Sequence, residues 1–204
     1  MKLLHIDSSV LMDNSVTREL SRAVVEAWQV AHPAIDVIYR DVAADPPAHL
    51  SAEIVAARFL PAEQHSDRQR DEMASDEILL QEFLAADVIV LGVPMYNFSI
   101  PSQLKAWLDR VLVSGRTFRY TAAGPVALIE GKKAVVVSAR GGIYSSAAGQ
   151  VMDHQESYLK AALGFVGVQD LTVIRAEGVN MEGRRKPAIA AARQQIRAMV
   201  KKAA

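Results

Sequence analysis

The sequence predicts an α/β fold, a doubly wound five-stranded parallel sheet with helices on both faces. Three observations predict it. Five apolar runs rich in Val and Ile recur along the chain: LLHID (3–7), IDVIYRDV (35–42), DVIVLGV (87–93), KAVVVSA (133–139) and LTVIRAEG (171–178). They are mostly continuous rather than alternating, as strands covered on both faces are. Stretches with helical spacing lie between them. Five strands favour the order 2-1-3-4-5 over a six-stranded arrangement.

The intervening elements follow in order. Val16, Leu20, Ala23, Val24, Ala27, Trp28 and Ala31 form the stripe of a first helix. A long segment, 51–86, joins the second and third strands. Its later part carries a helical stripe of Met73, Ile78, Leu79, Leu80 and Phe83. Further helices are expected over about 101–114, 149–164 and 186–202, the last rich in Ala, Arg, Gln and Lys.

The 204 residues suit one domain, 1–204. Lys plus Arg and Asp plus Glu are 23 each, so no net field draws nucleic acid or an acidic membrane. From Gly183 onward four Arg and three Lys meet no acid, the pattern of a solvated helix face. Without cysteine there is no disulfide, thiolate metal site or cysteine nucleophile. His5 and Asp7 interrupt the opening MKLLHIDSS too early for a signal peptide, and no run approaches a membrane span. A cytoplasmic location is the expectation.

In the 2-1-3-4-5 order, ligands bind beyond the carboxyl ends of strands one and three, where the winding reverses. The loop after strand one, Asp7 to Arg18, lacks GxGxxG and GxxxxGK[ST] patterns. It offers hydroxyls instead: Ser9, Ser15 and Thr17 converge where a helix begins, and helix amino ends attract phosphate. Arg18 is available to lend charge. The same residues also serve as ordinary caps; their place at the switch point favours the phosphate. At the other lip, GVPMYNFSIPSQLKAWLDR (92–110) lays down Pro94, Met95, Tyr96, Asn97 and Phe98 where small polar residues are usual. Two aromatic rings, a thioether and an amide suit a flat heteroaromatic ring. After strand four, Ala139, Arg140, Gly141 and Gly142 let backbone approach the opposite ring edge, although a GG pair alone also makes a simple turn. A ring with a phosphate tail is the shared ligand, and flavin mononucleotide (FMN) has that shape.

These segments resemble the bacterial FMN-dependent NADH:quinone and azo reductases of the flavodoxin-like superfamily. The matching stretches are SSVLMDNSVT, PMYNFSIPSQLKAWLD, TFRYTAAGP with GKKAVVV, ARGGIY, and LGFVGV followed by VIRAEG, spanning Met1 to about residue 180. The resemblance implies that Ser9, Ser15, Val16 and Thr17 hold the FMN phosphate and ribityl chain. It implies that Met95, Tyr96, Asn97, Phe98, Ala139, Arg140, Gly141 and Gly142 hold the ring. It implies a homodimer in which Phe118 and Tyr120 cover the partner's ring, with Tyr144 lining the substrate pocket. Two departures stand out: Ala139 replaces a common serine, and Tyr144 stands where some members have histidine.

The resemblance further implies that NADH or NADPH passes a hydride to flavin N5. A quinone then leaves as a hydroquinone, or an azo compound as amines, in ping-pong turnover. No side-chain nucleophile or metal is expected; the cofactor carries the chemistry. The histidines form no cluster: His32, His49, His65 and His154 suit surface positions, and His5 a hydrogen-bonded core position. A receiver-domain reading fails because strand three lacks its terminal Asp. A non-enzymatic flavodoxin-type carrier and a flavin redox sensor remain rival readings; carriers are usually acidic, and this chain is neutral.

Overall fold

The computed structural model describes residues 1–203. The chain runs β1 (Lys2–Asp7), α1 (Val16–Ala31), β2 (Asp36–Asp41), α2 (Ala52–Ala57), α3 (Asp67–Ala85), β3 (Val88–Pro94) and α4 (Ser102–Val111). A hairpin of β4 (Phe118–Thr121) and β5 (Gly124–Ala127) follows, then β6 (Lys133–Arg140), α5 (Ala147–Gln150), α6 (Gln155–Val166), β7 (Asp170–Glu177) and α7 (Arg185–Ala203). The main sheet has the order β2-β1-β3-β6-β7, and every neighbouring pair is parallel. Counting its strands alone, this is the 2-1-3-4-5 order read from the sequence.

Strand composition follows position. Every residue of central β3 is buried, and it is the most uniformly apolar strand. Edge strand β2 (DVIYRD) has no fully buried residue and carries four polar side chains. Successive side chains feed two cores, as the period of two demands. Leu3, Val88, Val90, Val135 and Val137 pack with Leu20, Val24, Trp28 and Ile196 from α1 and α7. Leu4, Ile6, Ile89, Leu91, Val93 and Val136 pack with α3, α4 and α6 through Phe83, Trp107 and Leu163. The Phe83 and Trp107 rings meet edge to face, 5.9 Å apart at 72°. Fully burying each such side chain supplies on the order of 2–3 kcal/mol.

Register sets the strand ends level. Asp7 lies opposite both Asp41 and Gly92, Pro94 opposite Ala139, and Arg140 opposite Glu177. The loops that leave these residues therefore open on one crevice. Two helix limits differ from the sequence-based expectation. α4 ends at Val111 rather than 114, where Thr117 caps the turn by accepting the Val113 N–H at 2.9 Å. The helix expected from 149 begins at Gln155: the Asp153 carboxylate accepts the Gln155 and Glu156 N–H groups, at 3.0 and 3.3 Å, and starts it there. The β4–β5 hairpin was not expected at all.

Candidate functional site

The first lip of the crevice is built on the start of α1. Ser15 is its N-cap: its Oγ accepts the Arg18 N–H at 3.3 Å and lies 3.0 Å from Thr17 Oγ1. The first-turn N–H groups of Val16 and Thr17 lack intrahelical acceptors by helical geometry. Val16 contributes only that backbone; its side chain is in the core. Ser9 Oγ accepts the Leu11 N–H at 3.3 Å.

Arg18 is not free to meet a phosphate. Its guanidinium forks onto Asp41, at 2.6 and 2.7 Å, and donates to the Ser9 carbonyl at 2.9 and 3.2 Å. It therefore fixes the loop from behind, tying Ser9 to the end of β2. Burial pushes the Asp41 carboxyl up, but Arg18 and the Ala43 and Ala44 N–H groups outweigh this and hold it below the ordinary range. Burial first, then the charges of Asp7 and Asp41, push the Tyr39 hydroxyl up to about 12. It stays a donor to Asp7, at 3.2 Å. His5 is the hydrogen-bonded core residue expected, 2.9 Å from Ser21 Oγ.

The second lip leaves β3. Tyr96 and Ser99 exchange backbone hydrogen bonds of 3.0 and 3.1 Å around Asn97 and Phe98. Both central residues have positive φ, 47° and 71°. This is the backbone of a tight hairpin turn that usually takes Asn-Gly. Asn tolerates it; Phe98 is a strained place for a bulky residue. Among the described residues the third non-glycine with positive φ is Met12, at 46°, on the first lip. All three lie at the predicted site. The Tyr96 hydroxyl bridges the lips, 3.3 Å from both Ser9 Oγ and the Val10 N–H. A cavity of about 670 Å³ opens against Val10, Tyr96, Asn97, Ile100, Lys105 and Tyr158.

The third wall is the loop after β6. The Met95 N–H donates to the Ala139 carbonyl at 2.9 Å, which joins it to the second lip. The Arg140, Gly141 and Gly142 carbonyls accept N–H groups from Val179, Asn180 and Gly178. A Cβ at Gly141 would lie 2.8 Å from the Asn180 side-chain amide, so a larger residue there would have to push that amide aside. The Tyr144 ring stands edge-on to Phe98, 6.4 Å between centroids. Arg140 differs from a ligand-facing cation. It is 1% exposed and its guanidinium is surrounded by Asp153, Glu156 and Glu177.

Phe118 and Tyr120 are not brought to this crevice within one chain. The Phe118 ring meets Phe165 at a tilt of 58°, 4.7 Å between centroids, at the carboxyl end of α6, whereas the His154 N–H at its amino end donates to the Phe98 carbonyl. The 12-residue helix between them is about 18 Å long. Among the described residues no group of acids and histidines could hold a metal ion.

A phosphorylated flat ring fits these residues. Hydroxyls and free N–H groups of a helix start stand at one lip, and a glycine-lined approach faces an aromatic wall at the other. Sequence reasoning missed the layer behind them: Ser8, which donates to the Gly92 carbonyl at 2.8 Å, Gln155, which donates to the Val93 carbonyl at 3.1 Å, and Glu177, which accepts the Tyr144 N–H at 2.9 Å. Ser8 beside Ser9 was the one local signal; the other two contact the site only through the fold.

Known proteins share this arrangement. A pattern for the flavodoxin-like fold matches residues 1–200. A protein of Chromobacterium violaceum named FMN-dependent NADH:quinone oxidoreductase is 57% identical over 181 residues, 89% of this chain and 90% of its own. The chain belongs to the FMN-dependent NADH:quinone oxidoreductase and azoreductase family. Another protein of that name, from Acidovorax ebreus, is 53% identical over 98% of this chain and 94% of its own. An azoreductase crystal structure from Bacillus anthracis superposes with a TM-score of 0.91 at 26% identity, covering 99% of both chains. The family's shared fold thus extends across the hairpin and both lips of the crevice.

Proposed function

We propose that this protein is an FMN-dependent oxidoreductase that takes two electrons from NADH and gives them to quinones, and that it cleaves aromatic azo compounds to amines. The carrying observation is the convergence of three loops, with all the non-glycine positive-φ residues among those described, at the winding reversal of the sheet. The relatives' names supply the donor and acceptor; the geometry supplies the receptor.

When bound, FMN supplies hydride acceptance and donation. The protein's own groups bind, orient and shield. Ser9, Ser15 and Thr17 hydroxyls and the Val16 and Thr17 N–H groups receive the phosphate, with the helix dipole reinforcing them. Met95, Tyr96, Asn97 and Phe98 flank the ring on one side, and the backbone of Ala139, Arg140, Gly141 and Gly142 on the other. Main-chain dipoles fixed there stabilise charge gathered during turnover without reorganising. Tyr144 lines the pocket beside Phe98.

Exposed apolar side chains support a homodimer. Phe59 is 84%, Val151 77% and Tyr120 71% exposed, apolar surface that a second copy would take out of water. A second copy places Phe118 and Tyr120 over the crevice they cannot reach in their own chain. No described helix is long and apolar enough to cross a membrane.

The test is direct. Purified protein loaded with FMN should lose its yellow absorption when NADH is added without oxygen and regain it with a benzoquinone. A protein that retains flavin yet is not bleached by NADH refutes the enzyme and leaves the carrier reading.

A further inference from the structure

We propose that Arg140 is a positioning residue that locks together the two loops facing the ring and, through its charge, sets the ring's reduction potential. The inference rests on the FMN reading above and assigns Arg140 a role other than direct contact.

Its guanidinium is shared among four elements. Nε donates to Ser138 Oγ at 3.0 Å, on β6 itself. Nη1 meets Asp153 at 2.9 Å and Glu177 at 3.2 Å, and Nη2 meets Glu156 at 2.5 Å. Three of these partners, Glu177, Asp153 and Ser138, lead to pieces of the crevice. Glu177 accepts the Tyr144 N–H at 2.9 Å, which shapes the third wall. Asp153 starts α6 by accepting the Gln155 N–H at 3.0 Å. The residue between them, His154, donates its N–H to the Phe98 carbonyl at 3.0 Å, inside the strained turn. Gln155 donates to the Val93 carbonyl at 3.1 Å and accepts from Ser138 Oγ at 2.5 Å. One buried cation therefore fixes both ring-facing loops through paired hydrogen-bond chains.

The charge balance is local. Glu156 is also forked onto Arg175, at 2.6 Å on both oxygens, with Lys160 at 3.8 Å. Asp153 and Glu177 make their direct ion pairs with Arg140. Although burial opposes it, the surrounding cations and donors hold Glu156 and Glu177 below the ordinary carboxylate range. They remain ionised at neutral pH. Removing the guanidinium takes one positive charge from beside Asp153 and Glu177 and so leaves more negative charge behind a ring that gains negative charge when reduced, which disfavours reduction. Removing one carboxylate does the reverse.

The experiment measures FMN dissociation, the two-electron midpoint potential by spectroscopic redox titration, and thermal melting in the FMN-loaded protein. Arg140→Gln should lower the potential and weaken FMN binding at least tenfold. Arg140→Lys should restore most of the potential, because it keeps the charge, while leaving binding weakened, because it loses the fork. Glu177→Gln keeps an acceptor for the Tyr144 N–H and should raise the potential; it stands as the readout if Arg140→Gln fails to fold. Shifts of opposite sign support the assignment. Lower melting temperatures with unchanged potential and FMN affinity overturn it and leave Arg140 as a purely structural ion pair. Wild-type protein that binds no FMN would instead sink the functional reading itself.

Discussion

Arg110 and Arg140 are the same chemistry in two places. Both are 1% exposed, and both guanidinium groups are enclosed by carboxylates and other oxygen acceptors. Arg110, on α4, meets Asp76 at 2.9 Å and Glu72 at 3.1 Å on α3 and donates to the Ala48 and His49 carbonyls at 2.6 and 3.2 Å. It pins the strand-two loop against two helices on the flank of the sheet. Arg140 pins the loops at the mouth of the crevice. The difference teaches that a buried ion pair does not declare its role by its own geometry. The backbone held by its partners decides whether it serves the fold or the site.

The largest expected effect breaks the symmetry of the pair. Arg110→Ala leaves Asp76 with only the longer Arg58 contact at 3.5 Å and strands two carbonyls, and should cost about 3–5 kcal/mol of stability, read by denaturant unfolding. The FMN potential of the folded fraction should not move. A shifted potential would show that the flank and the mouth are coupled after all.

Asn97→Ala sharpens the mouth side of the comparison. The side chain's amide goes, and a left-handed position passes from Asn to a residue that loses about 1–2 kcal/mol there. FMN retention should fall several-fold in an ultrafiltration assay. Asn97→Gly keeps the backbone angle and removes only the amide. Equal flavin loss in both variants assigns the effect to the amide; retention in the glycine variant assigns it to the turn.

The smallest effect is in pH dependence, and its sign differs between the two regions. Burial outweighs both nearby guanidinium groups and raises the Asp76 carboxyl above its ordinary range. A raised folded value contributes stability below the unfolded value, about 3.9, that is lost as pH rises through the folded one. Glu156 and Glu177 are lowered. Their contribution is present above about 4.3 and is lost as pH falls through their folded values. Between about pH 5 and pH 3, melting of Glu177→Gln should therefore depend less steeply on acid than wild type, and that of Asp76→Asn more steeply. Parallel curves for the two variants would contradict this division.

The sheet was legible in the sequence because burial on both faces leaves a dense signature. The run 87–93 became β3 at 88–94, and 133–139 became β6 at 133–140. The terminal helix, expected over 186–202, runs 185–203. The hairpin left no such mark: its strands are four residues each and mostly exposed, so neither periodicity nor apolar density develops. The six-residue discrepancy at α6 has one cause, the Asp153 cap, which starts that helix at Gln155 and leaves Ala147–Gln150 as a separate short helix. At the site, the aromatic wall and the hydroxyl loop could be read because each is contiguous. Arg18 looked like a cation available to an anion because its partner Asp41 lies 23 residues away. Charge alone does not reveal that it is already neutralised by something distant.

The left-handed angles at Met12, Asn97 and Phe98 carry a kinetic corollary. Their cost falls on folding and not on association, so little ordering is left for the guest to impose. Capture of the cofactor should resemble entry into a finished mould, with an encounter rate insensitive to loop motion and a slow escape.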